Sequence, residues 1–298
     1  WWEPGAENAN ARFSWARFAK GGDFCRFYSD VDLVIHWDPV RHSFAEFHGR
    51  KGRETERPES ADDFFQTGLT WPRRTQRGFN LRVMPPGCVF ADKGPAVFPS
   101  RETDTFFILG VANSAPADYL VRALTSFGSW EVGVIKRLPI PQPSSRQQER
   151  IGGLAKEIYE AKAAWDCGNE VSTRFTLPWL LRDDLIGGEV RLSNRLEQLA
   201  TFEADEETRV QGLYSELNQE AYKLYGTPEG TRTIIENTLG ARPPEVLWPQ
   251  LEGATAEEKR TEHVFRLLTF AVRRVLEADD DGNVPFDALR CETTLLER

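Results

Sequence analysis

Pro139-Ile-Pro-Gln-Pro143 is followed directly by Ser144-Ser-Arg-Gln-Gln-Glu149, and together these segments separate two kinds of sequence. Proline lacks an N–H donor and fixes its backbone, so the first segment continues neither a helix nor the interior of a sheet. Ser144 is a favourable helix cap, and the glutamine and glutamate residues after it suit the first helical turns. We therefore predict a domain boundary here, with one domain over residues 1–142 and a second over residues 143–298.

The sequence before this boundary contains short runs of β-branched and aromatic residues that end at glycine, proline or aspartate. Such runs are typical of strands bounded by turns. The predicted strands are Phe27–Trp37, Phe79–Val83, Cys88–Phe90, Ala96–Phe98, Phe106–Val111 and Val132–Ile140. A short helix is predicted over Ala117–Leu124, because Asn113-Ser-Ala-Pro116 places a cap and a proline just before it.

The sequence after the boundary has apolar residues at helical spacing. A first amphipathic helix of about 20 residues is predicted from Ser144 onward. Further helices are predicted around Leu192–Leu199, Val210–Leu224, Thr231–Leu239 and Glu257–Leu276, and Gly226 is the predicted cap that ends the Val210–Leu224 helix. The predicted fold class is therefore α+β, with a β-rich domain followed by a mainly helical domain.

Charge is distributed unevenly between the two halves. The whole chain has a net charge of -9 and a pI near 5.2. Residues 1–150 hold 20 basic and 18 acidic side chains, a balance of +2, whereas residues 151–298 hold 17 and 28, a balance of -11. A polyanion is therefore expected to meet the first half, because the second half would repel it.

Composition indicates a globular protein with room for two cores, at 298 residues and 40% hydrophobic. The four cysteines are scattered without metal-ligand spacing, which predicts free thiols in a reducing cytoplasm. The chain begins at Trp1 without a methionine, so we expect it to be part of a longer polypeptide or a processed product.

Motifs for catalysis are absent from the sequence. It contains no glycine-rich nucleotide loop, no HExxH and no GxSxG. We predict no catalytic, metal-binding or cofactor-binding residue in this chain. A self-contained nuclease or hydrolase whose site has no recognisable motif remains an alternative, and a metal-dependent cleavage assay would distinguish it.

One basic segment stands out against the acidic composition. The segment Gly68–Gly87, here called the arginine loop, is bracketed by glycines and prolines and contains four arginines. The arginine guanidinium can donate two parallel hydrogen bonds to a phosphate or to the edge of guanine, so we predict that this loop contacts DNA. The predicted contacts are Arg73, Arg74, Thr75, Arg77 and Arg82. The alternative is that the arginines solvate a turn or pair with nearby carboxylates.

A second basic segment is highly charged and has little apolar content. Its basic residues are Arg50, Lys51, Arg53 and Arg57, which alternate with glutamates. Base recognition needs a side chain held in place, and this segment offers few apolar anchors. We therefore predict that these four residues contact phosphates rather than bases.

Several motifs follow one another in a recognisable order. They are Gly22-x-Phe24-x-x-Phe27-Tyr28, Leu33-Val-Ile-x-Trp37, Gly68-Leu-Thr-Trp71, the arginine loop, Pro86-Gly-x-Val-Phe90, Leu109-Gly-Val-x-Asn-Ser114 and Val132-Gly-Val-Ile-x-x-Leu-Pro-Ile-Pro141. This order resembles the C-terminal target recognition region of adenine-specific DNA methyltransferases of phage-defence systems, of the BREX and phage growth limitation type or the related DISARM type. The Leu-Pro-Ile-Pro junction is also similar to that of Type I specificity subunits, and Leu217–Gly226 to a helix of Type IIG restriction-modification enzymes.

This resemblance implies sequence-specific recognition of double-stranded DNA on behalf of an adenine-N6 methyltransferase. The family's Asn-Pro-Pro-Tyr motif and its glycine-rich S-adenosylmethionine site are not in this sequence. The resemblance therefore implies that the cofactor and the methyl transfer belong to the parent enzyme, and that this chain alone is inactive. The implied partners are DNA, a methyltransferase domain upstream or on another chain, and possible further defence proteins, with no membrane.

A second function class stays open at this point. The β-rich domain could instead be a protein interaction module of a defence complex, in which the arginines meet acidic side chains. Under either function, the acidic helical domain is expected to face the methyltransferase domain or another protein.

Overall fold

The computed structural model describes residues 14–39, 43–44, 60–125, 128–188 and 191–277. The chain divides into two compact units. The first contains Trp1–Tyr159 and Gly212–Pro244, and the second contains Glu160–Gln211 and Glu245–Arg298. This division differs from the predicted boundary at residues 142 and 143, because residues after Ser144, such as Ile151, pack into a core of the first unit.

Two small sheets form the β-rich part of the first unit. The strands are β1 (Ser14–Ala19), β2 (Val34–Asp38), β3 (Ser43–Phe44), β4 (Gly68–Thr70), β5 (Arg82–Met84), β6 (Cys88–Phe90) and β7 (Ala96–Val97). One sheet has the order β3-β2-β1-β6, in which β1 and β6 run parallel and the other neighbours antiparallel. The second sheet has the order β5-β4-β7 and is antiparallel.

The two sheets share one hydrophobic core. Side chains alternate along a strand, so β1 buries Ala16 while Trp15 lies on the other face and stacks on His36 at 5.0 Å. Val89 of β6 and Met84 of β5, both fully buried, belong to the same cluster although they come from different sheets. The core therefore fixes β5 directly and β4 through its pairing with β5, and these two strands lie on either side of the loop that carries Arg73, Arg74 and Arg77.

The helices are α1 (Thr105–Asn113), α2 (Ala115–Leu124), α3 (Val132–Ile135), α4 (Ser145–Asp166), α5 (Asp183–Ile186), α6 (Leu192–Leu224), α7 (Glu229–Leu239) and α8 (Ala256–Glu277). The predicted α+β class is confirmed. Ser144 caps α4 as predicted, since the N–H of Gln147 donates to the Ser144 hydroxyl at 3.3 Å. The two helices predicted over Leu192–Leu224 form one continuous helix.

Four predicted strands are wrong in whole or in part, and one of them, Phe79–Val83, is a strand only from Arg82 onward. Phe106–Val111 lies within helix α1, because a continuous apolar run of this length is compatible with a buried helix as well as a buried strand. Val132–Ile140 contains only the single helical turn α3, held by N–H groups of Val134 and Ile135 that donate to the Glu131 carbonyl. In Phe27–Trp37 only β2 is a strand, since Phe27 has a φ of 68° and interrupts the extended chain.

The core of the second unit combines indole rings with charged groups. Trp179 lies 5.0 Å from Trp165 and 4.6 Å from Trp248, measured between ring centroids. His263 packs against all three rings, and its Nε2 lies 3.2 Å from a carboxylate oxygen of Glu203. Close to Trp165 and Trp248 in sequence, Lys162 and Glu245 form an ion pair in which both side chains are 2% exposed.

Glu203 makes the second unit sensitive to acid. Burial alone would raise the pKa of Glu203, but hydrogen bonds with His263 and Lys259 outweigh it and lower the pKa below 4.5. A carboxylate with a depressed pKa stabilises the fold above its unfolded pKa, and this contribution is lost as the pH falls through the folded pKa.

We expect Glu203→Gln to lower the free energy of unfolding by about 2 kcal/mol at pH 7. The difference from the wild type should shrink as the pH falls from the ordinary pKa of glutamate toward the depressed folded pKa of Glu203, because the wild-type carboxylate then loses its stabilising effect. Urea unfolding of both proteins at pH 7 and pH 4, followed by tryptophan fluorescence, measures this difference. A difference that is the same at both pH values would contradict the role assigned to the Glu203 carboxylate.

Within the described residues, no helix is both long and apolar enough to cross a lipid bilayer.

Candidate nucleic-acid interface

Main-chain hydrogen bonds hold the arginine loop to two neighbouring segments. On one side, the N–H of Arg73 donates to the Lys93 carbonyl at 3.0 Å. On the other side, the N–H of Thr75 donates to the Gly128 carbonyl at 3.2 Å, and the N–H of Trp130 donates to the Arg73 carbonyl at 2.7 Å. The backbone of residues 73–75 is therefore fixed without the help of their side chains.

Two aromatic side chains, Trp71 and Phe79, pack beneath the arginine loop. Both are buried, with 1% and 2% of their surface exposed. The indole N–H of Trp71 donates to the Trp130 carbonyl at 2.8 Å, and the Phe79 ring packs edge-on against both indoles at about 6 Å. This packing gives the loop a rigid base.

Arg73 is bound by two carboxylates. Its guanidinium lies 2.8 Å from Asp92 and 2.9 Å from Glu131. The hydrogen bond with Glu131 raises the pKa of Arg73, and the hydrogen bonds from Arg73 and Ser129 lower the pKa of Glu131. For this residue, the predicted alternative of pairing with nearby carboxylates describes the structure, and its charge is locally compensated.

Arg74 and Arg77 are exposed on the same loop. In the described part of the chain, no ion pair or side-chain hydrogen bond holds the Arg74 guanidinium. The Arg77 guanidinium lies 5.0 Å from the centroid of the Phe24 ring, within the range of a cation–π contact. The Thr75 hydroxyl accepts a hydrogen bond from the Arg77 N–H at 3.2 Å, so it serves the shape of the loop.

Arg82 occupies a different environment from the one predicted for it. Only 4% of its surface is exposed, and its guanidinium donates to the Asp23 carbonyl at 3.2 Å. Burial lowers the pKa of Arg82. A guanidinium buried in this way does not reach a DNA strand, so we leave Arg82 out of the proposed interface. The sequence could not show this, because Arg82 lies in strand β5 rather than in the exposed turn.

Two lysines beside the loop were missed in the sequence analysis. Lys20 and Lys93 are both exposed, and they belong to segments in close contact. A Cβ atom added to Gly94 would lie 2.3 Å from the Ala19 carbonyl oxygen, so only glycine permits this approach. The turn Asp92-Lys-Gly-Pro95 was the available signal, since the glycine and proline present Lys93 at its tip.

We call the exposed and half-buried charged residues of these segments the arginine-loop surface. Its basic members are Lys20, Arg73, Arg74, Arg77 and Lys93, and its acidic members are Asp23, Asp92 and Glu131. Asp92 and Glu131 both bind Arg73, so the charge of Arg73 is locally compensated within this surface. The predicted phosphate-contacting residues Arg50, Lys51, Arg53 and Arg57 lie outside the described residues.

Across the described ranges, no group of three or more His, Cys, Asp or Glu side chains is arranged to hold a metal ion. Cys25 and Cys88 are buried free thiols, and burial raises the pKa of Cys88 to about 11. The Cys88 thiol is therefore protonated and unreactive at neutral pH.

Comparison with known proteins places the chain near one class of enzyme. No family model matches it. Two curated relatives are both adenine-specific methyltransferases, and the chain is distantly related to them.

The first is the adenine-specific methyltransferase BrxX of Escherichia coli O9:H4 (strain HS), which is 24% identical over 244 residues, covering 74% of this chain and 19% of that protein. The second is the adenine-specific methyltransferase PglX of Lacticaseibacillus casei (strain Zhang), which is 25% identical over 135 residues, covering 45% of this chain and 11% of that protein. The chain therefore spans a fifth or less of each relative's length.

Proposed function

We propose that this chain recognises double-stranded DNA for an adenine-specific methyltransferase of a BREX-type phage-defence system. One observation carries the proposal: Arg74 and Arg77 are exposed on a loop whose backbone is fixed on both sides by main-chain hydrogen bonds. DNA recognition needs exposed arginines on a rigid support, because a mobile side chain cannot select one base edge. The distant relation to adenine-specific methyltransferases supplies the biological context.

Charge supports the same assignment of roles along the chain. We propose that residues 1–142 contain the DNA-reading surface and that the helical part after residue 143 faces the methyltransferase domain or another protein. The balance of -11 over residues 151–298 disfavours contact with DNA phosphates. S-adenosylmethionine and the methyl transfer would belong to the parent enzyme.

Pairing of Arg73 with Asp92 and Glu131 favours a second candidate, a protein interaction module. Those contacts demonstrate that arginines of this loop bind carboxylates well, and an acidic partner could meet Arg74 and Arg77 in the same way. The two functions differ in their response to DNA, since only the first gives specific binding to a duplex.

We expect the chain to bind duplex DNA with an affinity that falls steeply as salt rises. Binding two or three phosphates through Lys20, Lys93 and Arg74 would give a slope of log affinity against log salt of about -2 to -3. The slope is measured by fluorescence anisotropy with a labelled duplex. The salt concentration is varied from roughly 50 to 200 mM, because phosphate contacts lose affinity steeply over this range. Absence of binding at the lowest salt would favour the protein interaction module.

A further inference from the structure

Arg77 lies at the exposed end of a row of alternating guanidinium groups and aromatic rings. Arg77 and Arg26 lie 5.0 and 5.1 Å from the centroid of the Phe24 ring. Arg26 also lies 4.5 Å from the centroid of the Tyr214 ring, and Arg242 lies 5.5 Å from that same centroid. All of these residues belong to the first unit.

The inner part of this row is firmly held. Arg26 is 2% exposed and donates to the Pro243 carbonyl at 2.6 Å. The Tyr214 hydroxyl donates to the Asn113 carbonyl at 2.9 Å. A hydrogen bond and two ring contacts hold the buried guanidinium of Arg26 in place. Its contact with the Phe24 ring therefore has a fixed position.

The backbone on either side of Phe24 is held as well. The N–H of Cys25 donates to the Asn80 side-chain oxygen at 3.1 Å. The buried Arg82 donates to the Asp23 carbonyl at 3.2 Å. Phe24 is therefore a fixed platform, and Arg82, predicted from the sequence to contact DNA, instead holds the residue that precedes this platform.

A platform of this kind suits the reading of a base. A guanidinium stacked on a ring has its plane set by the ring, while its N–H groups point outward in that plane. Recognition of guanine needs two donors directed together at O6 and N7 in the major groove. Arg74, whose guanidinium has no side-chain anchor in the described part of the chain, lacks this preparation and suits a phosphate, which accepts donors from many directions.

We infer that Arg77 reads a guanine in the recognition sequence, that Phe24 is the positioning residue that orients it, and that Arg74 contacts a phosphate. This inference rests on the proposed function, because it requires that the arginine-loop surface binds DNA. It divides that surface into one reading residue and a group of phosphate contacts, and it implies that at least one G·C pair is required at the target site.

Variants that keep the charge separate reading from phosphate contact. Arg77→Lys keeps the positive charge but removes the planar group, and Arg74→Lys makes the same change at the phosphate contact. Phe24→Leu removes the ring and keeps an apolar side chain, and Phe24→Tyr restores a ring. The experiment is a binding selection from randomised duplexes, followed by salt titrations of each variant on the selected duplex and on one with a single G·C pair replaced.

Arg77→Lys and Phe24→Leu are expected to lower the preference for the selected duplex by at least about 5-fold, the lower end of the effect of one bidentate base contact. The salt slope should stay within about one unit of the wild-type slope, because no charge is lost. Arg74→Lys and Phe24→Tyr should keep the preference. Since Arg77 is exposed on a loop held by its main chain, Arg77→Lys tests the inference even if Phe24→Leu does not fold.

Two results would overturn the inference in distinguishable ways. If Arg77→Lys keeps the full preference while Arg74→Lys loses it, the roles of the two arginines are reversed and DNA recognition itself stands. If the wild-type chain selects no sequence and binds no duplex at low salt, the proposed function fails and the inference fails with it.

Discussion

A chain carrying both Arg74→Ala and Arg77→Ala is expected to lose most of its binding to its target duplex. Loss of a base-reading arginine costs about 1–3 kcal/mol, and loss of a phosphate contact reduces the salt slope by about one unit. The change should not affect folding, because main-chain groups of Arg73, Thr75 and Trp130 hold this loop. Anisotropy titrations and urea unfolding of the same preparation measure the two properties side by side.

Arg101→Ala is the matched control for this experiment. Arg101 is also an exposed arginine of the first unit, with 71% of its side chain accessible, and its partner is Asp104 three residues away. It lies outside the arginine-loop surface and should leave DNA affinity unchanged. Equal losses in the control and in the double variant would mean that the loop has no special role and that only total charge matters.

Lys162→Met is expected to destabilise the second unit by about 3–5 kcal/mol, the cost of leaving one partner of a buried ion pair without the other. Lys162 and Glu245 are each 2% exposed, so water cannot compensate Glu245 when the ammonium group is removed. The indoles of Trp165 and Trp248 follow three residues after Lys162 and Glu245, so their fluorescence should report the unfolding. Urea unfolding followed by this signal gives the free energy.

The double variant Lys162→Met and Glu245→Leu is the partner experiment. Replacing both charged groups by apolar groups of similar size removes the uncompensated charge, so much of the lost stability should return. A double variant as unstable as Lys162→Met alone would show that packing around the lysine stem, rather than the buried charge of Glu245, causes the loss.

The helical part of the chain could be predicted well from the sequence, because its signals are local. The cap at Ser144 and the apolar spacing after it locate α4. Gly226, with a φ of 60°, ends the long helix where predicted. Only the number of helices was misjudged, since the residues between Leu199 and Val210 include no proline or glycine and the helix continues through them.

The β-rich part was harder to predict, because the outcome depends on residues distant in sequence. Helix α1 is apolar between its polar end residues, and its packing against Ile151 and Leu224 decides its conformation. The burial of Arg82 follows from its main-chain bridge with Phe27 and from its side-chain hydrogen bond to the Asp23 carbonyl. Both partners lie more than 50 residues earlier in the sequence. The exposure of Arg74 and Arg77 was predictable, because both lie in a turn between glycines and prolines.

The main-chain anchoring of the arginine loop has a consequence for how its selectivity can change. The Lys93 and Gly128 carbonyls bind main-chain N–H groups of residues 73 and 75, and these bonds do not depend on the side chains at residues 74, 76 and 77. Substitutions at those three positions would replace the chemical groups offered to a duplex while the loop keeps its path. If the proposed function holds, new target sequences could be acquired by point mutation at these positions, and a redesign of the recognition sequence would begin there.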